Sequence, residues 1–441
     1  MKKWFTIFAI IFLGILVYAL SFLDTFSGSS QKEKEETVKD SKRIQLTFWR
    51  NSGNAAENKA FEELVSAFGK TNPNILVNMK SIPYSDYEIR LRTELAAGNP
   101  PDILTIDSPT LALYANTGSL LSIDPFMRKE GKIDDIPDST LRGLSYKGQI
   151  YLAPIVESSI ALYYNRHLLK SAGIPYPSED PNNPLTWDEV LEIAKKVNNP
   201  AKGVIGIDPA QGFNDGESPA YFKTPLLWQF GADILSPDGT TASGYLDSKQ
   251  ALDALQFYKD LYHKYGVAWL EIPSGAFEEG KLAMTVLGSW TLEDLKKNHP
   301  EFKLGDDFGV TPLPKDKYQF VPNGGWALGI TSKSKHPQEA WEFIKFVTSY
   351  EGMKKYVKIT GDVPARYSVA KDFPELNEYP KNIFLQQTQK FSKNRPVTPT
   401  YPVVSDAIRK LFEDVGIGGK DVKTAAKEAV EKINTGLKEI K

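Results

Sequence analysis

Apolar residues in the first part of the chain follow two patterns. Short apolar runs, typical of strands, alternate with stretches in which apolar residues recur every three or four positions, as on one face of a helix. The pattern predicts strands at Ile44–Trp49, Ile75–Ile82 and Pro101–Asp107, with helices at Ala55–Lys70 and Tyr84–Ala97 between them. This alternation of strand and helix indicates a parallel α/β sheet.

The carboxyl ends of parallel strands are where such a sheet binds its ligands. Trp49 ends the first strand, Asn54 and Glu57 follow it, and Asp107 and Ser108 end the third. We therefore expect these five residues on the ligand side of the sheet. Structural roles fit them as well: Trp49 in the core, Asp107 capping the next helix, and Glu57 on an exposed helix face.

The remainder of the chain continues the α/β pattern. A short strand is predicted at Gly203–Ile207, and a strand at Val321–Ile330 is predicted to return to the first sheet. Helices are predicted to begin after Thr186 and Thr291, each of which has an acidic residue three positions later, as in a capping box. A further helix at Phe222–Gly231 is expected to present aromatic residues, including Trp228.

The stretch between residues 148 and 170 connects two extended segments in series. Tyr151 begins the first, which Pro154 ends, and Ile160–Tyr164 is rich in β-branched and aromatic residues. Asn165 has the position of a helix cap. Polar and aromatic residues, including Glu157, lie at the junction, which suits a chain passing from one domain to another beside a cleft.

Several short motifs, taken in their order along the chain, carry a family resemblance. They are Tyr151–Pro154, Leu162-Tyr163-Tyr164-Asn165, Thr186-Trp187-Asp188-Glu189, Gly288-Ser289-Trp290, Gly324-Gly325-Trp326 and Gly361–Arg366. This arrangement resembles that of the family 1 extracellular solute-binding proteins of bacterial ABC transporters, which are sugar and oligosaccharide binders similar to maltose-binding protein. The resemblance covers nearly everything after the first forty residues.

The resemblance implies a fold, a function and a set of contacts. The fold is α/β, the two-lobed periplasmic-binding-protein fold (type II-like) with three hinge crossings, preceded by an N-terminal hydrophobic helix. The function is capture of a sugar in the interlobe cleft by hinge closure and its delivery to the permease subunits of an ABC importer. The expected ligand-binding residues are Trp49, Asn54, Glu57, Asp107, Ser108, Tyr151, Glu157, Tyr163, Asn165, Trp228, Gly288, Ser289, Trp290, Gly325, Trp326 and Arg366.

The expected domain bounds follow from the crossings. Residues 44–153 and 312–362 form the first lobe, and residues 154–311 and 363–441 form the second. Residues 1–23 are a signal-anchor or a cleaved signal peptide, because two lysines precede an apolar run of about twenty residues. Residues 24–43 are a polar linker. The expected location is the extracellular face of the cytoplasmic membrane, tethered by the N-terminal helix, or secreted or periplasmic if that segment is cleaved.

Composition excludes several other classes. The net charge of −2 gives no basic field for nucleic acid, and the absence of cysteine excludes disulfides, thiolate metal sites and a lipid-modified cysteine. Because HExxH, GxSxG and P-loop motifs are missing, we expect a binding protein without cofactor, metal or catalytic residues. We also expect a monomer.

Two alternatives remain. Ser158, Ser159 and Arg366 would suit glycerol phosphate or its esters, and unpaired carboxylates could belong to an extracellular carbohydrate-active enzyme. The sequence leaves open which sugar is bound, how long its chain is and whether calcium binds.

Overall fold

The computed structural model describes residues 43–209 and 216–439. The expected N-terminal helix and all but the last residue of the expected linker lie outside the described residues. Among the helices that the structure describes, none is long and apolar enough to cross a membrane.

The described residues form fifteen β-strands and sixteen α-helices. The strands are β1 (Ile44–Ser52), β2 (Ile75–Pro83), β3 (Ile103–Asp107), β4 (Leu120–Leu121), β5 (Ser145–Tyr146), β6 (Gln149–Ile150), β7 (Leu152–Pro154), β8 (Val156–Glu157), β9 (Ile160–Asn165), β10 (Met284–Gly288), β11 (Phe308–Thr311), β12 (Val321–Pro322), β13 (Trp326–Thr331), β14 (Val363–Pro364) and β15 (Ser392–Lys393). The α-helices are α1 (Ala55–Thr71), α2 (Tyr84–Ala97), α3 (Leu111–Asn116), α4 (Asp124–Glu130), α5 (Asp138–Gly143), α6 (Arg166–Ser171), α7 (Trp187–Val197), α8 (Ser218–Phe230), α9 (Lys249–His263), α10 (Thr291–Asn298), α11 (Pro337–Thr348), α12 (Tyr350–Thr360), α13 (Tyr367–Ala370), α14 (Lys381–Lys390), α15 (Tyr401–Phe412) and α16 (Val422–Glu439).

The first sheet has the strand order β2-β1-β3-β13-β4, with β7 also paired to β13. β1 runs parallel to β2 and β3, which confirms the parallel α/β prediction, and β13 returns antiparallel to β3 as the apolar run at 321–330 predicted. Aromatic contacts tie the sheet to its helices, for example Phe48 of β1 against Phe61 of α1 and Phe343 of α11.

The second sheet is antiparallel, in the order β10-β9-β11. All six residues of β9 are buried, because this central strand is covered on both faces. The strand predicted at Gly203–Ile207 is wrong: that segment makes only isolated bridges, at Val204 and Ile205. A Cβ atom on Gly206 would lie 2.6 Å from the Ala194 carbonyl oxygen, so the segment packs directly against α7.

Two of the three predicted helix caps are confirmed. The Asn165 side chain accepts a hydrogen bond from the Leu168 N–H, and Thr186 forms a complete capping box with Glu189 at the start of α7. The cap predicted at Thr291 is wrong. In the described structure α10 begins one residue earlier, after Trp290, and its start makes no side-chain cap hydrogen bond.

Three chain segments run between the two sheets. One passes from β7 through β8 to β9, a second from β11 through β12 to β13, and the third contains β14. They lie side by side, because β14 pairs antiparallel with β8, and Ser158 bridges to Gly324 of the second segment. Each sheet thus belongs to one lobe of the two-lobed fold, and the residue bounds given above for the lobes stay a prediction.

Candidate functional site

A cavity of about 340 Å³ lies between the two lobes. Its walls come from the carboxyl ends of β1 and β3, from the crossing segments, and from the starts of α8 and α10. Eight of the expected residues line it among the residues that the structure describes: Asn54, Glu57, Asp107, Glu157, Ser289, Trp290, Gly325 and Trp326. The volume is within the range of about 300–1,000 Å³ that is usual for small-molecule sites.

Two half-buried tryptophans provide aromatic surface from opposite lobes. Trp290 contacts Tyr221 and Phe222 of α8, each with ring centroids 6.2 Å apart. Trp326 meets Tyr87 edge-on at 5.6 Å and Tyr84 at 6.1 Å. Both rings are therefore held in place by other aromatic side chains before any ligand arrives.

Two glycines make room at the cavity wall. A Cβ atom on Gly288 would lie 2.3 Å from the Trp290 ring, so this glycine supports the ring and does not itself line the cavity. Gly325 has φ of 150°, and a Cβ atom there would lie 2.4 Å from the Val156 carbonyl oxygen. Another residue at 325 would separate two of the crossing segments.

The Glu57 carboxylate is held by a buried arginine. Arg50 Nη2 donates to Glu57 Oε1 at 2.7 Å, and Arg50 Nη1 donates to Asn58 at 2.6 Å. Burial raises the pKa of Glu57, and the Arg50 charge opposes that rise. Asn54 caps α1 by accepting the Glu57 N–H at 2.9 Å, so the cap and the ion pair fix this corner of the cavity.

Two other carboxyl groups at the crossings are desolvated. Burial raises the pKa of Glu157 to about 8, although the hydroxyl of Thr140 donates to its Oε1. Burial, with the nearby Glu57 charge, raises the pKa of Asp362 to about 7. Near neutral pH such carboxyl groups can both donate and accept hydrogen bonds.

Arg395 is the only cationic residue among the described residues that line the cavity, and it is already engaged. Its Nη2 donates to Asp107 Oδ1 at 3.1 Å and its Nη1 to Glu217 Oε1 at 2.5 Å. Tyr401 and Ser405 also donate to the Glu217 carboxylate. No group of three or more His, Asp or Glu in the described part of the chain is arranged to hold a metal ion.

Comparison with known proteins now identifies the family. Residues 52–354 match the model of the bacterial extracellular solute-binding protein family. The chain belongs to this family.

Individual relatives of this solute-binding protein cover most of its length. The maltodextrin-binding protein MdxE of Bacillus subtilis is 25% identical over 440 residues, which are 97% of this chain and 98% of the relative. The maltotriose-binding protein of Pyrococcus abyssi is 25% identical over 396 residues, 88% of this chain and 80% of that protein.

A solved structure supports the same family. An ABC transporter solute-binding protein from Thermotoga lettingae TMO, bound with α-D-tagatose, is 26% identical, with a TM-score of 0.78 over 89% of this chain and 100% of that one.

Four expected residues do not line the cavity, three of them from the first lobe and the fourth, Tyr163, from β9 of the second sheet. Trp49 and Tyr151 pack in the hydrophobic cluster behind Trp326, and the Lys80 ammonium lies 4.5 Å from the Trp49 ring centroid. Ser108 starts a short 3₁₀ turn, away from the cavity. Tyr163 is fully buried and donates to the Gly288 carbonyl. The side chains of Trp49, Tyr151 and Tyr163 are used by the fold.

Three further expected residues also lie outside the cavity of this solute-binding protein. Asn165 is buried, caps α6 and donates to the Phe277 carbonyl. Trp228 is buried in the second lobe. Arg366 donates to the carbonyl oxygens of Thr348 and Gly131, so its guanidinium is fixed in the first lobe instead of facing a ligand.

Sequence reasoning missed several lining residues, among them Tyr84, Glu217, Tyr221, Asp362 and Arg395. A signal existed for Glu217 and Tyr221: they flank Pro219, which marks the first turn of α8, whereas the sequence prediction began this helix only at Phe222. Tyr84 directly follows the second parallel strand, where the carboxyl-end rule applies. Asp362 stands within the Gly361–Arg366 motif, of which only Arg366 was predicted to bind the ligand.

Proposed function

We propose that this protein is the extracellular sugar-binding component of an ABC importer, and that it captures a sugar or oligosaccharide between its lobes. One observation carries the proposal: Trp290 and Trp326 present aromatic surface from opposite lobes to a cavity whose polar groups are carboxyls, amides, hydroxyls and the already bonded Arg395 guanidinium. A sugar has apolar C–H faces for the rings and hydroxyls for the polar groups.

The charges in the cavity favour an uncharged ligand over an anion. Carboxyl groups outnumber cations, and Arg395 is already bonded to Asp107 and Glu217. A phosphate ester would need unpaired cations or free N–H donors. Of the three residues behind the glycerol phosphate alternative, Ser158 lines the cavity, whereas Ser159 and the cationic Arg366 do not.

The names of the relatives agree with a saccharide ligand. A maltodextrin-binding and a maltotriose-binding protein are each 25% identical to this chain over most of its length. We infer that the ligand of this chain belongs to the same chemical class. Which of the lining residues touch it stays part of the proposal, with Asn54, Glu57, Glu157, Ser289, Trp290 and Trp326 as the expected contacts.

Ligand capture would proceed by hinge closure about the three crossing segments. Closure buries the ligand and presents one joined surface to the permease subunits. The protein would act as a monomer at the extracellular face of the cytoplasmic membrane, tethered by its N-terminal segment, or free if that segment is cleaved.

Calorimetric titration tests the proposal. The purified protein is unfolded and refolded to remove carried-over ligand, then titrated with monosaccharides, short oligosaccharides and glycerol phosphates. We expect one-to-one binding of a saccharide that is recovered intact. Binding of the phosphates alone would contradict the ligand class, and recovery of a cleaved saccharide would indicate an enzyme.

A further inference from the structure

One buried charge network joins the two lobes at the wall of the cavity. Asp107 is the last residue of β3 in the first lobe, and Glu217 precedes α8 in the second. Arg395 bonds to both, and its side chain is 1% exposed. Its guanidinium carbon also lies 5.0 Å from the Tyr221 ring centroid, on α8. Arg395 is thus anchored in the second lobe and reaches across to the first.

Two neighbouring contacts also join the lobes. The Glu217 N–H donates to the Tyr84 hydroxyl at 3.3 Å, and that hydroxyl lies 3.5 Å from Ser218 Oγ. Asn394, beside Arg395, donates to the Ser139 carbonyl of the first lobe at 3.0 Å. The network therefore forms a wall made from both lobes.

We propose that Arg395 is a positioning residue that holds the lobes in the closed form and closes one end of the ligand cavity. The part that concerns ligands rests on the proposed function: a closed end restricts the protein to short saccharides. The cavity volume of about 340 Å³, near the lower end for small-molecule sites, agrees with a short ligand.

The hydrogen bonds that the two carboxylates already accept favour a structural wall here over a direct contact with the ligand. Asp107 Oδ1 accepts from Arg395, and both oxygens of Glu217 accept from protein donors. A sugar unit extending past this point would have to break charge-assisted hydrogen bonds and leave a buried guanidinium unpaired. Asp107, expected from the sequence to contact ligand, acts instead through Arg395.

A distance measurement tests closure without any sugar. Because the chain has no cysteine, spin labels can be placed at Ile89→Cys and Lys249→Cys, two exposed positions on different lobes. In the ligand-free protein, Asp107→Asn is expected to shift the closed-to-open ratio toward open by about tenfold, the effect of losing a charge-assisted bond. Asp86→Asn is the matched control, since its exposed ion pair with Arg90 lies within α2.

A chain-length series tests the wall itself. Affinities for saccharides of increasing length are measured for the parent protein, Asp107→Asn and Tyr84→Phe, with thermal unfolding as the check on folding. We expect Asp107→Asn to improve the affinity for the longest saccharide relative to the shortest by about tenfold, with a smaller change in Tyr84→Phe. Tyr84→Phe keeps the ring and loses only the hydroxyl contacts, so this variant still tests the wall if Asp107→Asn does not fold.

The outcomes separate this proposal from the proposed function. An unchanged lobe distance in Asp107→Asn overturns the closure role whether or not any sugar binds. An equal loss of affinity at every chain length overturns the wall, and if the lobe distance is also unchanged it makes Asp107 a direct ligand contact. If the parent protein binds no saccharide but Asp107→Asn opens as expected, the proposed ligand class is wrong and the role of Arg395 in joining the lobes is supported.

Discussion

Replacing Trp290 by alanine is expected to weaken saccharide binding without unfolding the protein. The ring is half-buried against Tyr221 and Phe222, and the rest of its surface faces the cavity. Roughly a third of the 150–250 Å² of a tryptophan, or about 50–80 Å², is then left for a ligand to cover. At about 25 cal/mol per Å², this contact contributes about 1–2 kcal/mol.

The assay is calorimetric titration with the best saccharide from the panel, in parallel with thermal unfolding. A loss of about 1–2 kcal/mol corresponds to a Kd that rises about 5- to 30-fold. Trp269→Ala is the matched control, because Trp269 is also half-buried but packs on the core and does not line the cavity. A Kd for Trp290→Ala equal to that of the parent would refute the stacking role of this ring.

Two further predictions concern buried ionisable groups. Because burial raises the pKa of Glu157 to about 8, the folded protein holds this proton more tightly than the unfolded chain. The contribution of this proton to the free energy of unfolding is fully present below about pH 4.3, the pKa of the unfolded chain. It is lost as the pH rises through about 8. In the parent protein the free energy of unfolding should therefore decline by at most about 1.4 kcal/mol per pH unit over this range, and Glu157→Gln should remove that decline. Urea unfolding at several pH values measures it, and an equal decline in Glu157→Gln would contradict the burial argument. Arg366→Lys should destabilise the protein by about 1–3 kcal/mol by losing bonds to buried carbonyls while leaving the saccharide Kd unchanged, and a weakened Kd without loss of stability would return Arg366 to the ligand site.

Local patterns predicted the elements of the first sheet closely, because their signals are local. The helix expected at Tyr84–Ala97 has those bounds, since Gly98 ends it with φ of 77°. The Gly203–Ile207 strand failed for a non-local reason. Gly206 allows close packing against α7, and only isolated bridges connect the segment to the sheets.

The tryptophans illustrate which site residues can be predicted. Trp228 and Trp290 are both aromatic residues near a predicted helix, but α8 is buried on almost all sides and takes Trp228 into the core. The apolar run from Tyr221 to Phe230, interrupted only by Lys223, Thr224 and Gln229, was a signal of that burial. Trp290 stands at a strand-to-helix turn, where the chain leaves the core and a side chain can face the cleft.

The charge network could not be predicted from local pattern. Arg395 lies 288 residues from Asp107 and 178 from Glu217 along the chain. Only the folded crossings bring these three side chains together, and an arginine in a loop has no periodicity that distinguishes it from a solvated one. The same holds for Arg366, whose motif is local but whose side-chain direction is set by carbonyls of distant helices.

The desolvated carboxyls favour a hydroxyl-rich ligand for a reason separate from shape. Glu157 and Asp362 have pKa values raised to about 8 and about 7, so each can be neutral or charged at the pH where the protein works. A neutral carboxyl donates one hydrogen bond, whereas a carboxylate only accepts. A ligand with fixed donors or fixed acceptors would fit only one of these states. A sugar hydroxyl rotates to donate or accept, so it can satisfy either state without leaving a buried polar group unpaired.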